Sequence, residues 1–322
     1  MKAIRVQQYG GPEVLRLEES EAPAPGPGQA LVRLRAAGVN FIDIYQRRGG
    51  YPVPLPYTPG LEGAGTVEAV GQGVTDVHPG DRVAYTGSPG SYAEANVVPA
   101  DRLLPLPANL SFEQGAAFPL QGMTAHYLIH EYRLPRAGDT VLIHAAAGGM
   151  GLLLVQWAHH LGARVLGTVS TEEKARVARE SGVDEVILYS RQDFAEEVLR
   201  LTGGHGADLI IDGVGKATFA GNLKAAALRG QVVIFGAASG PADPISPNAL
   251  MARSLSLSGG NLGNYTRTRE ELLRRARDVL EGLHAGWLRL RLDHVWPLAE
   301  AAEAHRRLEG RQTVGKIVLT CA

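Results

Sequence analysis

The stretch Thr140-Val-Leu-Ile-His-Ala-Ala-Ala-Gly-Gly-Met-Gly-Leu-Leu-Leu-Val-Gln-Trp-Ala158 decides the fold. Residues 141–143 form a short apolar run that predicts a buried strand, and 145–151 are almost all Gly or Ala. Leu152, Leu153, Val155, Gln156 and Ala158 then carry a helical pattern to His160, with Gly162 as the stop. Strand, small-residue turn, helix is the entry to a dinucleotide fold, where backbone N–H groups and the positive end of a helix dipole face a pyrophosphate. The usual G-x-G-x-x-G reads here as Ala146-x-Gly148-x-x-Gly151, with Gly149 added. Such a pattern alone is weak evidence. Its context strengthens it, because residues 164–169 make a second strand at βαβ spacing.

The tip of that second strand speaks to the cofactor. An NAD site places an acid there for the ribose 2′-hydroxyl. Here Ser170 and Thr171 follow the strand and Lys174 lies one turn into the next helix. Hydroxyls and a cation suit a 2′-phosphate, so NADPH is expected. Ser170 is also read as a helix cap, with Glu173 completing a capping box. Glu172 and Glu173 would repel a phosphate if they pointed inward.

Working outward, the 322 residues suffice for two domains, with 45% hydrophobic and 20% charged residues in an ordinary globular balance. A net charge of −1 gives no electrostatic case for nucleic acid or an anionic membrane. No signal peptide and no membrane span are read, and a cytoplasmic protein is expected. A single cysteine, Cys321, excludes an intrachain disulfide and any multi-cysteine zinc site.

Residues 1–111 read as β-rich. In 29–36, Val32, Leu34 and Ala36 share one face while Arg33 and Arg35 share the other. Residues 40–48 predict a short helix, 66–70 a strand, and 79–83 a turn into another. Short strands with Gly and Pro turns suggest a small twisted barrel. From 112 to 260 strands and helices alternate. Strands are expected at 140–146, 164–169, 185–188, 208–212, 231–236 and 254–258. Helices are expected near 149–161, 171–181, 192–202 and 217–228, with Gly182 and Gly230 at positive-φ helix ends. The pattern predicts an α/β fold, a Rossmann doubly wound parallel sheet. Residues 261–322 are read as a return to the first domain, with a Thr268-x-x-Glu271 capping box, a helix at 297–308 and a last strand at 316–320.

The chain resembles the zinc-free quinone oxidoreductases of the medium-chain dehydrogenase/reductase superfamily, the group that includes zeta-crystallin. The carrying residues are 38–45 (Gly-Val-Asn-Phe-Ile-Asp-Ile-Tyr), Arg47, Tyr51-Pro52, Gly60-x-Glu62-x-x-Gly65, Gly80-Asp-Arg-Val83 and His144-Ala-Ala-Ala-Gly-Gly-Met-Gly151. Phe235-Gly-x-x-Ser-Gly240 and Arg311-x-x-x-Gly315-Lys316 complete it, so the match runs the whole chain. The resemblance implies a GroES-like catalytic domain, a Rossmann domain and a homodimer joined through the last Rossmann strand. Zinc-dependent members keep a Cys where this chain has Asn40 and a His where it has Leu61. A catalytic zinc needs three protein ligands, so no metal is expected. The acceptor must then be electrophilic without a Lewis acid, which quinones and activated alkenes are.

The resemblance also implies site residues. Asn40, Tyr45, Gln121 and Thr124 would lie near the nicotinamide, with Tyr45 or Tyr51 available as a proton donor to substrate. Ala147, Gly148, Gly149, Met150 and Gly151 would take the pyrophosphate. Ser170, Lys174 and Tyr189 would lie by the adenosine ribose phosphate, Phe235 and Ala237 by the nicotinamide ribose, and Arg311 elsewhere along the cofactor. Each has a plainer reading: Asn40 as a helix cap, Tyr45 and Tyr189 as packed rings, Asp43 and His144 as structural groups. The leading expectation is an NADPH-dependent quinone reductase. The rivals are a reductase of α,β-unsaturated carbonyls or enoyl thioesters, and, from another class, an RNA-binding or crystallin-like structural protein. The charge balance and the lack of an aromatic-plus-basic stripe argue against RNA.

Overall fold

A computed structural model describes residues 1–321. Two compact units are present. One comprises Met1–Gly122, Thr266–Ala276 and residues from Leu290 onward, and the other comprises Met123–Tyr265 and Arg277–Arg289.

The first unit opens with β1 (Lys2–Arg5) and β2 (Arg16–Glu19), paired antiparallel. Then come β3 (Gln29–Val39), α1 (Phe41–Arg47), β4 (Glu62–Val70), β5 (Arg82–Thr86), β6 (Ala95–Pro99), β7 (Leu104–Pro105) and α2 (Phe112–Gly115). The alternation in β3 is realised: Val32, Leu34 and Ala36 are buried and Arg33 and Arg35 are exposed. The strand continues through Val39, where consecutive residues are all buried. β3 slips register against β4 at two places, and bulges of this kind sharpen the twist. Gly65 fits there because a Cβ would lie 2.0 Å from the Arg33 carbonyl oxygen. β4 starts at Glu62, four residues before the expected strand, which brings that carboxylate into the sheet.

α3 (Pro119–His130) leads to the second unit, where β8 (Thr140–Ile143), α4 (Gly149–His160), β9 (Arg164–Val169), α5 (Glu172–Glu180), β10 (Glu185–Leu188) and α6 (Phe194–Leu201) alternate. β11 (Ala207–Asp212), α7 (Phe219–Ala225), β12 (Ala226–Ile234) and β13 (Ser256–Gly259) complete the run. All six strands are parallel, in the order β10-β9-β8-β11-β12-β13. The expected doubly wound sheet is therefore present, and the order reverses between β8 and β11. Ligands bind at such switch points, beyond the carboxyl ends of the strands.

Two local expectations need correction. The helix expected to reach 228 ends at Ala225, and strand begins at once with Ala226. Ala226 and Ala227 suit a helix as well as Ala225 does, but both are buried and pairing of β12 beside β11 makes them strand. Gly230 is not the left-handed residue; Arg229 is, with φ of 62°. Gly230 instead permits close packing, since a Cβ there would lie 2.9 Å from the Ala227 carbonyl oxygen and 3.1 Å from that of Ala207.

The tail holds α8 (Arg269–Ala285), β14 (Leu292–Pro297), α9 (Ala301–Glu309) and β15 (Lys316–Thr320). The Thr268–Glu271 capping box forms, Glu271 N–H donating to Thr268 Oγ1 at 3.2 Å and Thr268 N–H to Glu271 Oε2 at 3.2 Å. The helix expected over 297–308 is a short 3₁₀ turn followed by α9. β15 pairs antiparallel with β3, placing Lys316 beside the end of β3 that runs into Asn40. Among the described residues no helix is long and apolar enough to cross a membrane.

Candidate active site

In the second unit the site is made of backbone. β8 is buried at every position and ends against a turn in which Ala145 takes a left-handed φ of 51°. That conformation costs a non-glycine residue about 1–2 kcal/mol, and β9 holds it in place. Ala146 N–H donates to Thr168 O at 3.0 Å, and Ala145 N–H to Thr168 Oγ1 at 3.3 Å. The tight turn therefore falls at Ala145, one residue before the alanine that replaces the first glycine of the fingerprint.

Gly148 is the N-cap of α4 and supplies no side-chain cap. α5 and α6, by contrast, start with side chains that take first-turn N–H groups. The first-turn N–H groups of α4, which include Gly149, Met150 and Gly151, have no acceptor within the helix. A Cβ at Gly151 would lie 2.2 Å from the Ala145 carbonyl oxygen, so the helix can approach the turn only because that residue is glycine. Ala147 is buried in the same turn. Small residues, an uncapped helix start and a twelve-residue dipole together fit a pyrophosphate.

At the tip of β9 the expected cap is corrected by one residue. Thr171, not Ser170, caps α5, its Oγ1 accepting the Lys174 N–H at 3.3 Å. The Ser170 side chain is released from that duty. Its carbonyl accepts the Ser190 hydroxyl at 3.0 Å, which with Tyr189 N–H to Val169 O at 3.2 Å fixes the 188–190 turn beside the strand tip. Tyr189 is exposed. Arg191, two residues on, lies 3.5 Å from Glu172, so one of the two worrying acids is drawn to a cation. Sequence reasoning missed Arg191.

Phe235 and Ala237 stand in the loop after β12. Phe235 N–H donates to Asp212 O at 2.9 Å, and its ring occupies the space a Cβ at Gly213 would need, with Cζ 2.6 Å away. Ser239 joins this loop to the one after β11, its Oγ donating to Val214 O at 2.8 Å. Beneath the loops His144 Nε2 meets Asn222 Oδ1 at 2.7 Å, and Asn222 Nδ2 donates to Asp212 Oδ2 at 2.6 Å. Burial lowers the His144 pKa, against the opposing pull of Asp212. This histidine serves to brace the strand ends. Thr124, on α3, is buried in this unit.

In the first unit the site is made of side chains. Asn40 is the N-cap of α1, and Asp43 returns its carboxylate to the Asn40 N–H at 2.8 Å. The Asn40 carboxamide is bound elsewhere as well. Its Nδ2 donates to Glu62 Oε2 at 2.9 Å and to Gly38 O at 3.3 Å, and its Oδ1 accepts from Lys316 Nζ at 2.6 Å. Lys316 Nζ also reaches Glu62 Oε2 at 2.7 Å, and Glu62 Oε1 accepts the Leu120 N–H at 2.7 Å. A second chain continues from Asp43, whose Oδ2 accepts the Tyr92 hydroxyl at 3.0 Å. Tyr92 Oη lies 3.1 Å from His305 Nε2, and His305 Nδ1 lies 3.0 Å from Arg47 Nη1. Arginine only donates, so His305 Nδ1 accepts and the proton sits on Nε2. Arg47 in turn pairs with Glu309 at 2.5 Å.

Burial governs the ionisation of this cluster. It pushes Asp43 up to about 7, against the hydrogen bonds from Asn40 and Tyr92 and the charge of Lys316. Burial, then the Arg47 charge, pushes His305 down to about 3. Burial also pushes the Cys321 thiol up to about 12, which makes it a poor nucleophile.

The other expected residues are placed as follows. Tyr45, half-buried on α1, meets Tyr51 edge to face with ring centroids 5.5 Å apart, and Tyr51 is exposed. Gln121 is half-buried on α3. Arg311 follows α9, exposed and left-handed at φ 55°, in the same unit as Asn40. Sequence reasoning gave no role to Glu62, Tyr92, His305 or Lys316; spacing carries no signal for residues this far apart in the chain.

Among the described residues no group of three or more His, Cys, Asp or Glu side chains could hold a metal ion. At the two positions where the resemblance puts zinc ligands this chain has an amide, Asn40, and an aliphatic side chain, Leu61. A lysine 2.6 Å from Asn40 Oδ1 and 2.7 Å from Glu62 already supplies the positive charge, so the donor set does not fit zinc.

Comparison with known proteins agrees with this geometry. Residues 26–108 match the family model of the alcohol dehydrogenase GroES-like domain, and 149–278 match that of the zinc-binding dehydrogenase domain. A quinone oxidoreductase of Pseudomonas aeruginosa is 45% identical, covering 99% of both chains. A 2-haloacrylate reductase of Burkholderia is 44% identical, covering 98% of both. Among solved structures, the Escherichia coli quinone oxidoreductase complexed with NADPH is similar at a TM-score of 0.96 and 38% identity, over 99% of this chain and 100% of that one. A mycobacterial protein complexed with NADPH gives a TM-score of 0.96 at 44% identity, over 99% and 100%. With its parallel nucleotide-type sheet, its GroES-like strands and full-length relatives at this identity, the chain belongs to the quinone oxidoreductase family of the medium-chain dehydrogenases/reductases.

Proposed function

We propose that this chain is an NADPH-dependent, metal-free reductase of quinones. The observation that carries the reading is the uncapped start of α4 against a turn that a Cβ at Gly151 would block, paired with a strand tip bearing Ser170 and Lys174 in place of a carboxylate. When bound, NADPH supplies the hydride.

The protein's work is then to bind, orient and exclude water. Gly148, Gly149, Met150 and Gly151 present N–H groups to the pyrophosphate, with Ala147 keeping the turn small. Ser170, Lys174 and Tyr189 take the 2′-phosphate, and Arg191 adds positive charge beside them. Phe235, Ala237 and Thr124 shape the nicotinamide side, and Arg311 contributes a further cation. Tyr45 and Tyr51 are the hydroxyls offered to the reduced oxygen of the acceptor, with Gln121 in the pocket. Asn40 has spent both amide protons on Glu62 and Gly38. Its direct part is limited to accepting through Oδ1, beyond which it orders its surroundings.

A second reading is favoured by one observation, the 2-haloacrylate reductase relative at 44% identity. Reduction of an activated C=C bond needs the same hydride and adds a proton at carbon, which Tyr45 or Tyr51 would supply. Side-by-side NADPH oxidation with a naphthoquinone, an enal, a haloacrylate and an enoyl thioester separates the two. Fast turnover of the quinone is expected. Turnover of an alkene substrate alone moves the chain to the second reading with its cofactor site unchanged.

We also propose a homodimer joined through β13. That strand is the edge of the sheet, and Leu257 on it is 37% exposed. An edge with free backbone groups is a template for a second copy. Sedimentation of the chain at micromolar concentration tests it.

A further inference from the structure

Asn40, Glu62 and Lys316 come from three distant parts of the chain and are each at most 3% exposed. A buried ion pair is weak evidence of stability, because the same volume filled with apolar side chains is often as stable or more so. The Lys316–Glu62 pair therefore calls for another account. The hydrogen bonds supply one. Lysine donates only, so the carboxamide of Asn40 must turn its oxygen to Lys316 and its nitrogen to Glu62 and Gly38. The opposite orientation would set an amide N–H against an ammonium. Glu62 is itself immobile: its other oxygen is held by Leu120 N–H at 2.7 Å. Gly38 leaves it room, since a Cβ there would lie 2.3 Å from Glu62 Oε2.

We propose that Lys316 is a positioning residue for hydride transfer, acting as a fixed internal cation that locks the Asn40 carboxamide in one orientation. The inference rests on the reading above that Asn40 stands beside the nicotinamide. Lys316 touches neither cofactor nor acceptor in this account. It acts through Asn40.

The variants Lys316→Met and Lys316→Met/Glu62→Gln test it. The single variant strands a buried carboxylate, so its melting temperature falls. The double variant removes both charges. In it the introduced carboxamide at position 62 can still accept the Leu120 N–H with its oxygen, which leaves its NH2 facing Asn40 and inverts the Asn40 carboxamide. Stability is then expected to recover in large part but short of the parent, because the inverted Asn40 NH2 faces the introduced methionine side chain without an acceptor, while kcat stays roughly tenfold or more below the parent and the KM for NADPH changes less than about twofold. If kcat recovers together with the melting temperature, the lysine is merely structural and the proposal is overturned. It is equally overturned if Lys316→Met leaves melting temperature or kcat unmoved. Turnover by the parent chain tests the acceptor separately, and the variants are compared on whichever acceptor the parent reduces.

Discussion

The two sites of this molecule are built from opposite materials. Around α4 the groups open to a ligand are backbone N–H groups, and the side chains are small or missing: Ala145, Ala146, Ala147, Gly148, Gly149 and Gly151. Around Asn40 the working groups are side chains, and the backbone serves to carry them inward. Six of them, Asn40, Asp43, Arg47, Glu62, His305 and Lys316, are buried at 3% exposure or less. A backbone site tolerates no added volume. A side-chain site tolerates no lost partner, because each removed group leaves another buried and unsatisfied. The two should therefore fail differently.

The largest effect is expected where volume is added. Gly151→Val forces a branched side chain onto the Ala145 carbonyl, from which even a Cβ would be only 2.2 Å away. Binding of NADPH should weaken by about a hundredfold or more, roughly 2.8 kcal/mol at 1.4 kcal/mol per tenfold, and melting should fall as well. Titration of NADPH by fluorescence reads it; unchanged affinity would remove the pyrophosphate from this turn.

Next is Lys174→Ala, which takes one charge from the proposed 2′-phosphate site without touching its backbone. The KM for NADPH should rise by about tenfold or more, within the 1.5–3 kcal/mol of a charged hydrogen bond, with NADH little changed. Equal changes for both cofactors would show that the strand tip does not read the 2′-phosphate.

The side-chain site should answer to pH. His305 is held neutral to about 3, whereas an unfolded histidine takes its proton near 6.5. Between those values the unfolded chain binds more protons, so stability drops as pH falls through that window. Asp43, raised to about 7, has the opposite sign: it binds its proton more readily when folded, so its contribution weakens as pH rises from about 4 to 7. The two oppose each other, and the difference between variants isolates one. His305→Gln should lessen the acid loss by up to about 1.4 kcal/mol per pH unit between pH 6.5 and 3, the slope of one proton. Denaturant melts at several pH values measure this slope, and parallel curves for parent and variant would contradict the neutral histidine.

The smallest effect belongs to a neighbouring pair on β12. Arg229→Gly should be near neutral or stabilise by up to about 1 kcal/mol, since the arginine sits at a φ of 62° that glycine accepts freely. Gly230→Ala should destabilise, because its Cβ would meet two backbone oxygens. Reversed signs in thermal melts would mean that the turn is not fixed as described.

The sequence by itself determined most of what has a local cause, the α5 cap at Thr171 rather than Ser170 being an exception. The buried strand at 140, the helix stop at Gly162 with φ of 82°, the alternating faces of β3 and the absence of a carboxylate at the β9 tip are all properties of a few adjacent residues. The turn and helix start proposed to hold the pyrophosphate are legible for the same reason, since they lie in one short run of chain. Tertiary structure decided the rest. It ended the 217–228 helix early by pairing Ala226 into a strand, and it moved the left-handed turn from Gly230 to Arg229. It also brought Lys316 to Asn40 across 276 positions, through the antiparallel pairing of β15 with β3. Such a contact leaves no mark in spacing or periodicity: its distance in space is set by how the sheet closes, and that depends on every strand between the two residues.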